Sequence, residues 1–341
     1  ILVVWFIFAS PYFIKAQVPF PSDYLVSFFP PWSASHGMPV KNNAMPDVIT
    51  QIYPWKTITI DSWKLGQLPL WNPYSFAGTP HGANYQTAVF TPFTVLFFLF
   101  NRIDAWSILI LLQPLLAGIG MYVFLRTLGR TRSASSMGSI AFMFCGFMTV
   151  WMAYGTLGYA ALWLPFIFAG IAGYMKKPGL WWHPAFVTLG TAMSFLSGHF
   201  QISLYVFVAS LLFLVYETVR LRAASKGIHT GFFLLLGLGI ASPQLLLSYD
   251  AYGASLRSAS FVKGEVIPWN YLITLFSPDF FGNPVTRNDW FGHYAEWAGF
   301  VGVVPLLLAM YALIRKKDAA AWFFAGLSLM TLALATPTPL N

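Results

Sequence analysis

Charge is what this sequence has least of. Only 9% of its 341 residues are Asp, Glu, Lys or Arg, while 57% are hydrophobic. A soluble domain carries about a quarter charged residues. So few charges cannot cover a water-facing surface, and the mean hydropathy of +0.64 agrees that most of the chain faces lipid. The single cysteine, Cys145, sits in an apolar run, which excludes a disulfide framework and a cysteine-based metal site. The sequence contains no phosphate-binding glycine loop, no metal-spaced His/Cys cluster and no G-x-S-x-G elbow. Their absence argues against an enzyme of soluble nucleotides.

The net charge of +8 does not mark a nucleic-acid binder, because of where the bases fall. They cluster in short gaps between apolar runs: Arg126, Arg130 and Arg132; Lys176 and Lys177; Arg220, Arg222 and Lys226; Arg315, Lys316 and Lys317. That is the pattern of cytoplasmic loops under the positive-inside rule. Apolar runs of spanning length are Ala105–Leu125, Ser133–Ala153, Leu157–Met175, Trp181–Ser197, Ile202–Val219, Thr230–Ser248, Trp297–Ile314 and Ala319–Ala335. The opening run 1–14 is shorter than the roughly 20 residues a span needs, and reads as the outer part of a first membrane helix. Both ends read as cut within a longer protein. In lipid, backbone polar groups must be paired within the segment, so these runs are expected to be helices. The expected fold is an all-α polytopic membrane protein, a single domain over 1–341 with about nine spans.

The basic clusters lie between alternate spans, so all are expected on the cytoplasmic side. A first loop over 15–87 and a second over 249–296 then fall outside, in a multi-pass membrane protein. Residues 88–100 are apolar but short and contain Pro92, and a crossing there would reverse the charge parity. They are expected to form a re-entrant or interfacial segment. Asp23, Asp47, Asp61, Asp250, Glu265, Asp279, Asp289 and Glu296 all fall on the outer side, as polar loops would require in any case.

Several outer stretches carry residue types suited to chemistry. In DVITQIYPW, a short helix is expected to start at Asp47 and to be ended by Pro54, placing Asp47 and Gln51 on one face. A carboxylate beside an amide can hold a sugar hydroxyl and take its proton, and an Asp in this place can equally be a helix cap. Tyr53 and Trp55 follow in the same segment. Asp23, before the extended Pro30–Pro31 stretch, is a second acid candidate or a turn residue. In LPLWNPYSFAGTP, turn formers make a rigid loop on which Trp71, Asn72 and Tyr74, with Tyr85 beyond, can meet a sugar ring. Trp and Tyr also settle at membrane interfaces without any ligand. His199 and Gln201 in SGHFQ are placed to touch a phosphate head group, with Gly198 leaving room for it, or they are simply a polar turn. In the late outer segment, Arg257 and Arg287 suit bidentate phosphate recognition. Glu296 stands at a helix mouth, as a functional acid or as a complement to the helix dipole.

In order along the chain, DVITQIYPW, LPLWNPYSFAGTP, SGHFQISLY and PDFFGNP…EWAGFVGVVPLLLA resemble the YfhO-like bacterial membrane proteins, within the GT-C class of polytopic glycosyltransferases. The resemblance implies a large first outer loop bearing an acid, and transfer of a sugar from a polyprenyl-phosphate-linked donor to a cell-envelope glycan or lipid acceptor on the outer face. It implies Asp47 as the catalytic base, with Asp23 in reserve, and His199, Gln201 and Glu296 at the rim of the site. No cofactor is called for, and whether a divalent metal takes part stays open. Two other functions compete. A transporter or flippase for a lipid-linked sugar would need ionisable residues within the spans, where the sequence has mainly Gln113 and Gln244. A non-catalytic glycan-binding envelope protein would not need the Asp47 carboxylate.

Overall fold

The computed structural model describes residues 1–40, 42, 45–255, 266–315 and 318–339. Arg257, Lys263, Glu265, Lys316 and Lys317 lie outside the described residues. The protein is helical. It opens with α1 (Leu2–Lys15), α2 (Asp23–Phe28) and α3 (Trp32–His36). A wide helical turn over Val48–Ile52 then runs into α4 (Tyr53–Lys64). A two-residue antiparallel pair follows, β1 (Trp71–Asn72) with β2 (Thr79–Pro80), in the register Trp71 to Pro80 and Asn72 to Thr79. It is the only sheet among the described residues.

Residues 88–100 form two short turns, Pro92–Val95 and α5 (Leu96–Leu99). At 1.5 Å per residue such turns reach about 12 Å, well short of the roughly 30 Å hydrocarbon layer. The segment starts and finishes on α4. The Ala88 carbonyl accepts from Lys56, and Arg102 pairs with Asp61.

The bundle proper follows, as α6 (Arg102–Thr127), α7 (Arg132–Met143), α8 (Gly146–Val150), α9 (Leu157–Ala161), α10 (Leu164–Lys176), α11 (Trp182–Leu196), α12 (Phe200–Leu221), α13 (Ala224–Gly253), α14 (Val303–Arg315) and α15 (Ala319–Ala335). Four stretches are helical, long and apolar enough to cross a membrane: Arg102–Thr127, Leu157–Lys176, Phe200–Leu221 and Ala224–Gly253. The apolar helices Leu2–Lys15, Val303–Arg315 and Ala319–Ala335 are shorter.

Two expected spans are shaped by a single long-range contact. The run Ser133–Ala153 is broken between α7 and α8, where the Gly146 N–H donates to the Phe300 carbonyl at 2.6 Å. A Cβ on Gly146 would stand 3.2 Å from the Ala298 carbonyl oxygen, so glycine is what admits the 298–300 backbone. α14 begins at Val303 and not near Trp297: residues 294–297 form a turn, and the non-helical chain after it meets this break through Phe300.

Elsewhere small residues let helices close up, as they do when packing replaces the hydrophobic effect as the driving force. A Cβ on Gly170 of α10 would lie 2.7 Å from the His183 carbonyl oxygen of α11, and one on Gly237 of α13 would lie 2.6 Å from the Thr188 carbonyl oxygen. One cluster, with Phe124, Phe168, Phe213 and Leu234 buried, ties α6, α10, α12 and α13 together, with Phe324 of α15 packed against it. At one end of the bundle the bases converge. Lys176 donates to the Thr127 carbonyl at 2.8 Å, Lys226 donates to the Met175 carbonyl at 2.8 Å, and Arg130 pairs with Asp318.

The glycine contacts give a paired test. Gly237→Ala pushes a methyl into backbone that cannot rotate away and lowers stability by about 1–3 kcal/mol. Gly239→Ala, on the same helix with nothing within 4 Å, leaves stability unchanged or slightly raised. Thermal unfolding of the two variants in detergent micelles, followed by tryptophan emission, checks the difference.

Candidate functional site

The site is built on the helix that begins at Val48. Pro54 does not end this helix, because it occupies the first turn of α4, where proline is tolerated. It does prevent an α-type bond back to Thr50, and the turn before it is the wide, π-type one. Asp47 stands at the start of that turn without bonding the helix backbone through its side chain. Instead Gln51 Nε2 donates to Asp47 Oδ1 at 2.9 Å, and the Tyr154 hydroxyl approaches Oδ2 at 3.5 Å. The carboxylate is half-buried and held by side chains from two parts of the fold.

Tyr154 is buried on the tight turn Met152–Tyr154, with Trp151 edge-on at 5.2 Å. Burial, then the charges of Asp47 and Glu296, push its phenol far above the usual range, so it stays a proton donor. Tyr24, also buried, donates to the Asn42 carbonyl and accepts the Met45 N–H at 3.1 Å, which pins the chain leading to Asp47. Burial raises the Tyr24 pKa, the Met45 bond and Arg287 pull it back, and Asp47 raises it again. Arg287, in the left-handed region at φ 56°, donates to the Val40 carbonyl.

Beside these groups is a largely apolar cleft of about 490 Å³. Its walls include Asp23, Tyr24, Val40 and Met45 from the first loop, Thr149 and Ala153 from the α8 end, and Asn283 and Tyr294 from the late segment. Asp47 lies beside it, two residues from Met45 and bonded to the neighbour of Ala153. Glu296 is exposed, next to the wall residue Ala295, and its charge reaches Tyr154 and Tyr271. An apolar pocket with a few convergent polar groups is the usual form of a small-molecule site. Among the described residues, no three His, Cys, Asp or Glu side chains are grouped to hold a metal ion.

The other sequence candidates fall into two separate places. Tyr53, Trp55, Trp71 and Asn72 line a second cleft, of about 910 Å³, along α4. Tyr85, His199 and Gln201 line neither cleft and serve the turn into α12. The Tyr85 hydroxyl donates to the Phe195 carbonyl at 2.6 Å and its ring meets Phe200 edge-on at 5.7 Å. His199 caps α12 by accepting the Ile202 N–H at 3.4 Å, and burial lowers its pKa. Gln201 donates to the Tyr205 hydroxyl at 2.6 Å. Gly198, expected to admit a ligand, instead admits Ala88 and Thr156, each 2.9 Å from where a Cβ would be.

Sequence reasoning missed Tyr154, whose only signal was a Tyr-Gly turn between apolar runs, and it missed Lys56. The Lys56 side chain is wholly buried and donates to the Thr87 and Ala88 carbonyls at 3.3 and 3.4 Å. Burial brings its pKa down to about 8. Nearby, His81 Nε2 lies 2.9 Å from Thr59 Oγ1, and burial followed by the Lys56 charge lowers its pKa to about 4.

Because the folded pKa of Lys56 lies below its ordinary 10.5, the folded chain binds fewer protons than the unfolded one between about pH 8 and 10. Stability therefore rises with pH across that window and is reduced below it. The expected outcome is a thermal midpoint that climbs from pH 7.5 to 9.5 in the wild type and stays flat over the same range in Lys56→Met. Neither models of known protein families, nor curated proteins, nor solved structures match this chain.

Proposed function

We propose that this protein is a membrane glycosyltransferase that moves a sugar from a polyprenyl-phosphate-linked donor to a cell-envelope acceptor, at the outer face of a bacterial cytoplasmic membrane. The observation that carries the reading is the Asp47 carboxylate. It is not used to cap its helix, it is oriented by Gln51 and Tyr154, and it stands beside an apolar cleft. The resemblance to YfhO-like proteins supports the same residue. The convergence of Arg130, Lys176 and Lys226 at the far end of the bundle supports a cytoplasmic assignment of that end.

In this reading the lipid tail of the donor lies among the apolar helices and its sugar phosphate enters the cleft. Asp47 takes the proton from the acceptor hydroxyl as that oxygen bonds to the anomeric carbon. The bond between the anomeric carbon and the phosphate oxygen breaks, and the polyprenyl phosphate leaves with the electron pair. Arg287, bonded to the carbonyl of the wall residue Val40, would offer a positive charge to the phosphate, and Asp23, in the cleft wall, a polar contact to the sugar. Holding both reactants in one geometry lowers the barrier through proximity.

The test is transfer of radiolabelled sugar from polyprenyl-phosphate donors to envelope material by the full-length protein. Asp47→Asn is expected to lose at least a hundredfold in rate, the scale of a general base, with membrane insertion preserved. Asp23→Asn retains most of the transfer, and Gln51→Leu loses about tenfold through disorientation of the carboxylate. Equal transfer by wild type and Asp47→Asn would discard the site. No transfer by the wild type across a broad donor panel would discard the enzyme.

A further inference from the structure

The larger cleft has no part in the reaction described above, and its construction is specific. It runs along the helix from Thr50 to Leu65, a length of about 22 Å, and so starts one turn beyond Asp47. Trp55 lies along one side, and Trp71 and Tyr74 stand on the arm opposite.

Those two arm residues are exposed, at 56% for Trp71 and 83% for Tyr74, yet the arm that carries them is fixed. The indole of Trp71 lies on Gly78, where a Cβ would come within 2.3 Å of the ring, and Trp71 pairs with Pro80 across the short sheet. Asn72 is only 2% exposed. Its side-chain oxygen accepts the Tyr74 N–H at 2.9 Å, and its amide donates to Ser75 Oγ at 3.2 Å. Aromatics carried on a fixed backbone lose less conformational entropy when they bind than those on a free loop. Among the described residues, Asp61 is the only charged side chain lining the groove, and Arg102 pairs with it. The remaining polar lining is hydroxyl and amide, as in Thr57, Ser62 and Gln67.

From this we infer that the groove along α4 is a binding track for a neutral pyranose chain, several sugars long, which delivers its end toward Asp47. The chemistry matches on each count. The axial C–H face of a pyranose is apolar and flat enough to lie on Trp or Tyr, whose faces carry partial negative charge. Its hydroxyls pair with amide and hydroxyl groups, and its length matches an open groove better than a closed pocket. A polyanionic chain finds a carboxylate here and, among the described residues, no cation in the lining. The inference rests on the transferase reading for its purpose, as it names the class of acceptor, but not for the binding itself.

The experiment uses the full chain in nanodiscs, titrated with cellohexaose and chitohexaose and, as a polyanionic comparator, poly(glycerol phosphate), with heat or tryptophan emission as readout. Saturable binding of at least one hexasaccharide is expected, weakened at least tenfold by Trp71→Ala and by Tyr74→Ala and not displaced by the polyphosphate. Tyr74 is so exposed that its removal leaves the fold intact, which guards against a misfolded Trp71 variant. Absence of saturable binding, binding indifferent to both aromatic variants, or preference for poly(glycerol phosphate) would overturn the proposal. So would quenching by brominated lipid that is lost in Trp71→Phe, which would place the arm in the bilayer. Tenfold-weakened saccharide binding in the aromatic variants, with no sugar transfer by any form, would keep the groove and sink the transferase. Asp47-dependent transfer without groove binding would do the reverse.

Discussion

The seating of the first loop on Trp106 is the contact on which both clefts depend. Trp106 of α6 is buried, with Tyr53 edge-on at 5.4 Å and Phe20 at 6.0 Å. Around it Val48, Ile52 and Ile60 from the loop helix are buried with Leu109, Tyr154 and Tyr159 from the bundle. Each such side chain contributes roughly 1.5–3 kcal/mol when taken fully out of water. The helix 48–64 is otherwise polar and short, and a helix of that length has little stability of its own in water. Docking therefore determines that Asp47 meets Tyr154 and that α4 forms one wall of a groove.

The irregular chain around that helix has its own requirement. Buried backbone carbonyls need donors, and a loop without regular structure cannot supply them from its own ladder. Lys56 answers this for the segment before α5, reaching the Thr87 and Ala88 carbonyls from one turn inside α4. The arrangement is costly, because an ammonium in a dry site finds dipoles but, among the described residues, no paired carboxylate, and its lowered pKa records that cost. Without it the Thr87 carbonyl would lose the Lys56 donor, while the Ala88 carbonyl keeps the Thr91 N–H at 3.2 Å. Ala88, at φ 47°, is held in the left-handed region at the same place.

How much of this was legible depended on the range of each interaction. The helical, lipid-facing character followed from the scarcity of charge, and the Asp47–Gln51 contact followed from a four-residue spacing; both are local. The break between α7 and α8 was illegible, because it comes from a bond between Gly146 and Phe300, and apolar periodicity carries no trace of a partner so far along the chain. Tyr154 was illegible for the same reason, since its carboxylate partner lies 107 residues away. Lys56 read as one charge on a polar helix because the loop that buries it returns only some thirty residues later. The roles expected of His199 and Tyr85 went to neighbours within packing distance, a helix N-terminus and the Phe195 carbonyl, whose need for partners is general.

The wide turn before Pro54 has a geometric consequence for how the two clefts relate. In a regular α-helix, positions 47, 51, 54, 58 and 61 form one stripe, since they recur at four, seven, eleven and fourteen residues. Asp47 and Gln51 would then head the same face as Pro54, Ile58 and Asp61, which line the groove. A turn closed by bonds one residue longer rotates what precedes it by about a quarter turn. Asp47 and Gln51 accordingly leave the groove face and meet Tyr154, while Thr50 takes their place at the head of the groove. Pro54, read from sequence as a terminator, thus acts as a twist in a continuous helix. It separates the groove wall from the Asp47 carboxylate, and holds the two at a fixed angle on one rigid element.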